Sequence, residues 1–503
     1  MSSNFNPELS NGGLTHGQAA GAFAAAGSTV FPRGFLWGAG SSSYQVEGGV
    51  HEAGRGASIW DTLCTRAGAI AGGHNGDIAC DHYHRFKSDV ALMKQIGLKT
   101  YRFSVAWPRV QPDGIGPANS KGLDFYRNLV DALLEAGIKP VVTLYHWDMP
   151  QALQNRGGWL NRESVRWFAD YSSHVVAALS DRVADWITIN EPQIYVNLGL
   201  NETKHAPGLK TSLREQLLAT HHTLMAHGAS VMAIRGMAKK PARIGWAPVG
   251  RVDYPADESS AECVEAARAS TFAVDNLGHW NNTWFGDAVI FGEYPQDGLK
   301  FYGADVPKIE PGDMEMMKQP LDFYGLNIYS GAPVRPGTTG KTEPVLHAPG
   351  HARNALSWPV TPECLYWGPK FIYDRYQLPI VITENGMTNL DWPDVDGKVR
   401  DPQRIDYTRR YLLALHRAIK DGVPVLGYFH WSIMDNFEWA EGYKDRFGLI
   451  YVDFATQERI LKDSAHWYKE VIASNGATLA PAAAGACLGF GLPGVSKTMP
   501  VRA

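Results

Sequence analysis

The sequence predicts an α/β fold, a single-domain (β/α)8 barrel of the TIM type. Two observations predict it: short β-branched or apolar runs alternate with helical stretches, and eight such runs occur along the chain. Parallel strands joined by helices form a sheet covered on both faces, and eight of them can close into a barrel. The predicted strands are 35–39, 100–104, 140–144, 186–190, 243–247, 323–327, 380–384 and 425–429.

The clearest helix-to-strand unit lies between the second and third strands. Apolar residues recur at helical spacing over 123–133, Gly137 follows them, and the next strand begins at Pro140. A glycine directly after a helix is a common stop because it adopts the left-handed conformation without strain. The helix before the second strand shows the same pattern, since the stretch 86–93 is followed by Gly97.

An open, doubly wound sheet is the alternative that the alternation of strands and helices allows. Such a sheet would need a glycine-rich phosphate-binding turn after its first strand. The turn here reads GSSSY over residues 40–44, with neither G-x-G-x-x-G nor a P-loop pattern. The barrel is therefore favoured.

The composition of the chain limits the kinds of partner it can bind and indicates where the folded domain begins and ends. The net charge of the 503-residue chain is −4, which argues against a nucleic-acid partner. Five scattered cysteines form no C-x-x-C or Cys/His cluster, so neither a metal site nor a disulfide framework is predicted. Residues 1–30 and 474–503 are rich in small residues and are predicted to be a disordered arm and a low-complexity tail, which leaves 31–473 for the barrel.

Targeting signals are not indicated by the sequence. The first residues have no basic region typical of a signal peptide, and no run of about 18 apolar residues occurs. We therefore expect a cytoplasmic protein without a membrane partner. The oligomeric state cannot be read from the sequence.

Polar, charged and aromatic residues follow the predicted strands where they end. Barrel chemistry takes place at the carboxyl ends of the strands, so these residues are candidates for a site. They are Arg102, His146, Trp147, Asp148, Asn190, Glu191, Asn327, Tyr329, Glu384, Trp431, Glu438 and Trp439.

Two carboxylates, Glu191 and Glu384, stand at the ends of the fourth and seventh strands. Paired carboxylates carry out glycoside hydrolysis, in which their pKa values must differ. Arg102 beside Glu384 would keep that carboxylate ionised, while burial and the charge on Glu384 would keep Glu191 protonated. A single glutamate at a strand end is more often a surface ion-pair partner, but the pair together with Arg102, Asn190 and Tyr329 favours a catalytic role.

Seven short motifs then appear in order along the chain. They read FLWGAGSSSYQVEG at 35–48, SIWD at 58–61, YRFS at 101–104, WLN at 159–161, TINEP at 188–192, HAPG at 205–208 and ITENG at 382–386. From about residue 35 to residue 467 the chain resembles the family 1 glycoside hydrolases. The resemblance implies a retaining β-glucosidase with Glu384 as nucleophile and Glu191 as acid/base, whose carboxyl groups lie about 5 Å apart.

The resemblance also implies the substrates and the sugar-binding residues. Cellobiose, short oligosaccharides and aryl or alkyl β-glucosides would be hydrolysed without a cofactor or a metal. Tyr329 would hydrogen-bond Glu384, Asn327 would support it, and Asn190 would hold the sugar 2-hydroxyl. The residues implied to bind the non-reducing sugar are Gln45, His146, Trp147, Asn190, Trp431, Glu438 and Trp439.

Three alternatives remain for the function. A 6-phospho-β-glucosidase resembles this chain but carries a Ser and Lys loop for the phosphate, where this sequence has the carboxylate Glu438. A thioglucosidase has Gln at the acid/base position, where this chain has Glu191. A catalytically silent sugar-binding barrel would lose one or both carboxylates, and both are present here.

One departure from the family pattern concerns the acceptor side. Two residues after the acid/base the family often has Trp, whereas this chain has Gln193. We therefore expect a more polar entrance there and an altered acceptor preference.

Overall fold

The structure is a computed structural model that describes residues 29–338 and 342–480. Most of the predicted N-terminal arm, up to residue 28, and most of the predicted tail, from residue 481, lie outside the described residues.

Eight parallel strands form the central sheet and confirm the predicted fold class. They are β1 (Leu36–Gly40), β2 (Thr100–Ser104), β3 (Lys139–Tyr145), β4 (Asp185–Asn190), β5 (Arg243–Ala247), β6 (Tyr324–Asn327), β7 (Ile380–Asn385) and β8 (Val425–Trp431). Each strand from β1 to β4 pairs with the strand that follows it, β6 pairs with β7 and β7 with β8, and β1 pairs with β8. Between β5 and β6, the Asp322 N–H donates to the Ile244 carbonyl at 2.8 Å and the Asn327 N–H to the Pro248 carbonyl at 3.1 Å, which closes the barrel.

A principal helix follows each strand and covers the outside of the barrel. These helices are α1 (His82–Ile96), α2 (Ser120–Glu135), α3 (Ser164–Leu179), α4 (Leu213–Met237), α5 (Thr283–Ile290), α6 (Cys364–Tyr376), α7 (Pro402–Lys420) and α8 (Asp463–Ala473). Further helical segments in the connections are Ser43–Val46, Ile59–Cys64, Ala71–Gly73, Trp107–Val110, Gln151–Gln154, Gly158–Leu160, Pro192–Val196, Asn197–Asn201, Ala261–Phe272, Gln296–Tyr302, Gly303–Asp305, Asp313–Met317, Trp439–Glu441 and Ala477–Leu479. Five short strands lie outside the barrel: Asp253–Pro255, Ala332–Pro336, Thr342–Pro344, Ile450–Val452 and Arg459–Leu461.

Local sequence signals explain where these helices begin and end. Gly97 and Gly137, with φ of 82° and 76°, follow α1 and α2 as predicted, because a left-handed residue there lets the chain turn away. At the start of α4 the Ser212 hydroxyl accepts from the Glu215 N–H, while the Glu215 carboxylate accepts from the Ser212 N–H. This capping box satisfies backbone donors that the first helical turn leaves free.

The apolar core has two parts, inside and outside the sheet. The residues that fill the barrel interior are Val141, Ile187, Ala247, Phe323, Val381 and Phe429. A larger cluster packs between the sheet and the helices. Each large apolar side chain buried in this way contributes about 1.5–3 kcal/mol, so both layers hold the strand ends in fixed positions.

The two ends of the described chain contact each other near the start of β1. The Phe31 N–H donates to the Asn475 carbonyl at 2.9 Å, and the Trp37 indole N–H donates to the Asn475 side-chain oxygen at 2.9 Å. Leu479 is fully buried. Packing therefore extends through residues 474–480, past the boundary at 473 that composition suggested. Within the described ranges, no helix is long and apolar enough to cross a membrane.

Candidate active site

Glu384, at the end of β7, is a buried carboxylate with a donor on each oxygen. Arg102 Nη1 donates to Glu384 Oε1 at 2.5 Å, and the Tyr329 hydroxyl donates to Oε2 at 2.7 Å. The guanidinium is itself fixed, since its Nε donates to the Thr143 hydroxyl and its Nη1 to the Thr383 carbonyl, both at 3.1 Å. Charge-assisted bonds of this kind stabilise an anionic carboxylate in a fixed orientation.

Two amides join Glu384 and its cation to the second carboxylate. Arg102 Nη2 donates to Asn190 Oδ1 at 2.6 Å. Asn327 Nδ2 donates to the same oxygen at 3.0 Å and to Glu191 Oε1 at 2.8 Å. The predicted residues Arg102, Asn190, Glu191, Asn327 and Glu384 thus form one connected buried network.

Glu191 differs from Glu384 in its environment. Burial raises the pKa of Glu191 well above its usual value, and the negative charge of Glu384 raises it further; the bond from Asn327 and the charge of Arg102 oppose these effects. The environment of Glu191 therefore favours its protonated form, while Glu384 is paired with a guanidinium. A proton donor beside an anionic carboxylate is the combination that glycoside hydrolysis needs.

Three residues of the site have left-handed backbone conformations that non-glycine residues seldom adopt. Trp147, Glu191 and Trp439 have φ of 77°, 43° and 48°. Such a residue costs about 1–3 kcal/mol and persists only where the surrounding structure imposes it, which is common at active sites. The fold therefore fixes the direction of these side chains.

Gln45 and Glu438 lie together at another side of the site. The Gln45 amide, on the helical turn after β1, donates to Asn436 Oδ1 at 3.0 Å, to the Phe437 carbonyl at 2.9 Å and to Glu438 Oε2 at 3.4 Å. Burial raises the pKa of Glu438 to about 8, helped by the charges of Asp445 and Glu384. Glu438 is thus a buried carboxyl that needs hydrogen-bond partners, and sugar hydroxyls can supply them.

Aromatic rings stack side by side in the same region. The His146 ring stacks on Trp431 at 5.7 Å and on Trp439 at 5.9 Å between centroids, with interplanar angles of 18° and 21°. Trp147 lies 4.6 Å from Trp439, and its indole N–H donates to the Asn190 carbonyl at 2.9 Å. Apolar ring faces beside polar groups are suited to a pyranose, which has both kinds of surface.

His146 presents a free donor to this region. The Asn190 oxygen accepts from Arg102 and Asn327, so its Nδ2 must be the donor that contacts His146 Nε2 at 3.1 Å. Burial and the charge of Arg102 lower the pKa of His146 well below its usual value, so the ring is neutral and carries its proton on Nδ1. Among the described residues this buried Nδ1 has no partner, which leaves it available to a ligand.

Several supporting residues could not be identified from the sequence. The hydroxyls of Tyr407 and Tyr411, on α7, donate to the Tyr329 carbonyl at 2.8 and 3.0 Å and so fix Tyr329 against Glu384. The Thr383 hydroxyl donates to Asn327 Oδ1 at 2.6 Å. Thr383 could have been suspected from its place in the ITENG motif, but the two tyrosines look like ordinary core residues of a helix.

The Gln193 amide is buried and does not face solvent, whereas the sequence suggested that Gln193 would make the entrance of the site more polar. Gln193 is 1% exposed, and its amide faces the backbone of Val249 at 3.4–3.5 Å.

In the described part of the chain, no group of three or more His, Cys, Asp or Glu side chains could hold a metal ion.

Comparisons with known proteins agree with this geometry. The family model of glycosyl hydrolase family 1 matches residues 27–477. The 1,4-beta-D-glucan glucohydrolase of Thermotoga neapolitana is 43% identical over 450 residues, covering 89% of this chain and 99% of its own length. Beta-glucosidase A of Acetivibrio thermocellus is 44% identical over 457 residues, with the same coverage of both chains.

A solved structure is similar to this chain in both fold and sequence. The β-glucosidase from Thermotoga maritima in complex with glucoimidazole has a TM-score of 0.82 and 42% identity, over 89% of this chain and all of that one. With its matching family model, its relatives and its buried carboxylate pair, the chain belongs to glycosyl hydrolase family 1.

Proposed function

We propose that this β-glucosidase removes terminal non-reducing β-D-glucosyl residues by double displacement, with Glu384 as nucleophile and Glu191 as acid/base. The observation that carries the proposal is the buried pair of carboxyls, one bound by Arg102 and Tyr329 and the other with a pKa raised by burial and by its neighbour. The names of the relatives, which are β-glucosidases and glucan glucohydrolases, support the substrate class.

The mechanism has two steps. Glu384 attacks the anomeric carbon while Glu191 donates its proton to the departing oxygen, which gives a covalent glycosyl-enzyme. Glu191, now ionised, takes a proton from water, and the resulting hydroxide attacks the anomeric carbon and releases Glu384. Two inversions leave the sugar in its original β configuration. Side chains perform all of these steps, so the proposal needs no cofactor.

The glycone is proposed to be a neutral hexose. Gln45, His146, Asn190 and Glu438 offer donors and acceptors to hydroxyl groups, and a hydroxyl missing from the sugar would leave one of these buried groups unpaired. The negative form of Glu438 would repel a phosphate. The leaving group would be glucose, a short oligosaccharide, or an aryl or alkyl alcohol.

The cytoplasm is the proposed location. Cys64, Cys80, Cys263 and Cys364 are free thiols. Unpaired cysteines are typical of a reducing compartment, since oxidising compartments favour disulfides.

The test is hydrolysis of 4-nitrophenyl β-D-glucoside and of its 6-phosphate by the wild type, Glu384→Ala and Glu191→Ala. We expect turnover of the neutral glucoside, with β-glucose as the first anomer seen by proton NMR. Azide should restore turnover in both variants, giving α-glucosyl azide with Glu384→Ala and β-glucosyl azide with Glu191→Ala.

Three results would contradict the proposal. Release of α-glucose first would indicate inversion, and preference for the 6-phosphate would overturn the proposed role of Glu438. If Glu384→Ala gave β-glucosyl azide and Glu191→Ala gave α-glucosyl azide, the roles assigned to the two carboxylates would have to be exchanged. Glu163→Ala, at an exposed glutamate on the outside of the barrel, is the matched control and should retain wild-type activity.

A further inference from the structure

Asp148 is a fully buried carboxyl that the proposed mechanism does not use. It follows His146 and Trp147 directly in the chain and is 0% exposed. The Ser43 hydroxyl donates to Asp148 Oδ2 at 2.8 Å. The other oxygen, Oδ1, has no hydrogen-bond partner within the described residues. A buried carboxyl with only one oxygen satisfied is unusual and calls for an explanation.

The partner of Asp148 lies at the start of another sugar-binding segment. Ser43 begins the helical turn Ser43–Val46 that carries Gln45. Its N–H donates to the Ser104 hydroxyl at 2.7 Å, and the Ser104 hydroxyl donates back to Ser43 Oγ at 3.1 Å. The Ser43 proton is therefore directed to Asp148. This chain of bonds connects the segments that follow β1 and β3 to the last residue of β2.

Both ends of this connection lie two residues from a group proposed to bind the sugar. Asp148 is two residues after His146, and Ser43 is two residues before Gln45. Trp147, between His146 and Asp148, has a left-handed backbone with φ of 77°, so the surrounding contacts must hold it in place. We propose that Asp148 is a positioning residue for glycone binding, acting through Ser43 on Gln45 and through the backbone on His146 and Trp147.

The charge of Asp148 then matters to binding. Burial raises the pKa of Asp148 to about 7; the Ser43 bond and the charge of Arg55 oppose this rise, and the charge of Glu47 adds to it. Glu47 is bound by Arg109 and Tyr126, and Arg55 by Asp61. The titratable or charged groups that face Asp148 from neighbouring elements are Glu47, Arg55, Tyr145 and Tyr171.

The direction of the pH effect follows from the raised pKa. Below about pH 7 Asp148 is protonated and neutral, and the burial of its unpartnered oxygen is tolerated. As the pH rises through that value, a buried negative charge forms with one oxygen unbonded by any described residue, which is costly. The segment then relaxes, and glycone binding weakens as the pH rises.

The substitution Asp148→Asn separates the effect of the charge from that of the hydrogen bond. Asp148→Asn keeps an oxygen that accepts from Ser43 but cannot ionise, whereas Asp148→Ala and Ser43→Ala remove the bond. The assay is KM and kcat for 4-nitrophenyl β-D-glucoside from pH 5 to 9, with the unfolding temperature of each variant. This inference rests on the proposed function, because it needs a glucoside that binds near His146 and Gln45.

We expect the substitutions to change KM and its dependence on pH while they leave kcat nearly constant. Wild-type KM should rise between pH 6 and 8, whereas the KM of Asp148→Asn should stay level until Glu438 titrates near pH 8. Asp148→Ala and Ser43→Ala should raise KM roughly three- to tenfold at every pH with kcat nearly unchanged, as expected for the loss of one hydrogen bond. Asp148→Asn should also unfold at a higher temperature than the wild type at pH 8.

Two outcomes would overturn the positioning role. One is a KM profile of Asp148→Asn that matches the wild type; the other is a loss of kcat in Asp148→Ala and Ser43→Ala with KM unchanged. If the folded wild type hydrolysed no glucoside, the proposed function would fail instead. Glucose affinity, measured by calorimetry on the same variants across the same pH range, would then support or reject the positioning role by itself.

Discussion

The bond from Asn327 to Glu191 allows a direct test of how the fold sets the protonation of the proposed acid. Asn327 Nδ2 donates to Glu191 Oε1 at 2.8 Å, and this bond lowers the pKa of Glu191 against the larger effect of burial. Asn327→Ala removes it. Because the bond favours the ionised form, its loss raises the pKa of Glu191 further, so the proton is retained to higher pH.

The size of the change follows from the energy of such a bond. A hydrogen bond to a charged group contributes about 1.5–3 kcal/mol, and one pKa unit corresponds to about 1.36 kcal/mol. The alkaline limb of kcat, which reports loss of the Glu191 proton in the enzyme–substrate complex, should therefore move up by about one to two pH units. That limb belongs to the coupled pair of carboxyls, so the shift describes Glu191 together with Glu384.

The assay is kcat at saturating 4-nitrophenyl β-D-glucoside from pH 5 to 10, because KM also follows the titration of Asp148 and Glu438. Asn436→Ala is the matched control, because Asn436 is a buried amide that contacts Gln45 and Ser432 rather than the carboxyl pair. We expect it to raise KM without moving the limb. A limb that stays in place or moves to lower pH in Asn327→Ala would refute the argument.

Three further predictions concern the nucleophile, the fold and the glycone. Tyr329→Phe removes one donor to Glu384 and should lower kcat about 10- to 100-fold with little change in KM; an unchanged kcat would show that the bond is not used. Lys462→Met removes the buried ammonium shared by Asp391 and Asp435, which then keep only Arg404 and Arg446 as cationic partners, and should cost about 3–5 kcal/mol in chemical denaturation at pH 7. Lys444→Met, at an exposed ion pair, should cost less than about 1 kcal/mol, and equal costs would contradict this. Glu438→Gln should raise KM for the neutral glucoside roughly 100-fold in steady-state kinetics, and an unaltered KM would remove Glu438 from the sugar site.

The barrel could be predicted because its signals are local. Each strand is a short apolar run, and a glycine such as Gly97 or Gly137 stops the preceding helix, so every predicted strand lies within two residues of the observed one. The candidate site followed from the same signals, since strand ends in a barrel meet at one rim. Arg102, Glu191 and Glu384 could be placed together before any contact was known.

The supporting contacts could not be predicted because they join distant parts of the chain without a sequence pattern. Tyr407 reaches the Tyr329 carbonyl across 78 residues, and Ser43 reaches Asp148 across 105. A tyrosine in a buried helix face or an aspartate in a turn has many possible partners, and only packing selects one. The burial of Gln193 was missed for the same reason, since nothing in its neighbourhood indicates that it faces Val249.

Arg102 shows how one cation can position both a carboxylate and an amide and also influence the pKa values of an acid and an imidazole. Its two terminal nitrogens contact Glu384 and Asn190, so the geometry that stabilises the anionic carboxylate also fixes the amide proposed for the 2-hydroxyl. The same charge opposes the rise in the pKa of Glu191 and lowers the pKa of His146. An acid that is too weak would not donate its proton, and a charged imidazole could not accept from Asn190. A planar, forked guanidinium can meet these demands together, whereas the single ammonium of a lysine could not direct donors to both partners in fixed directions.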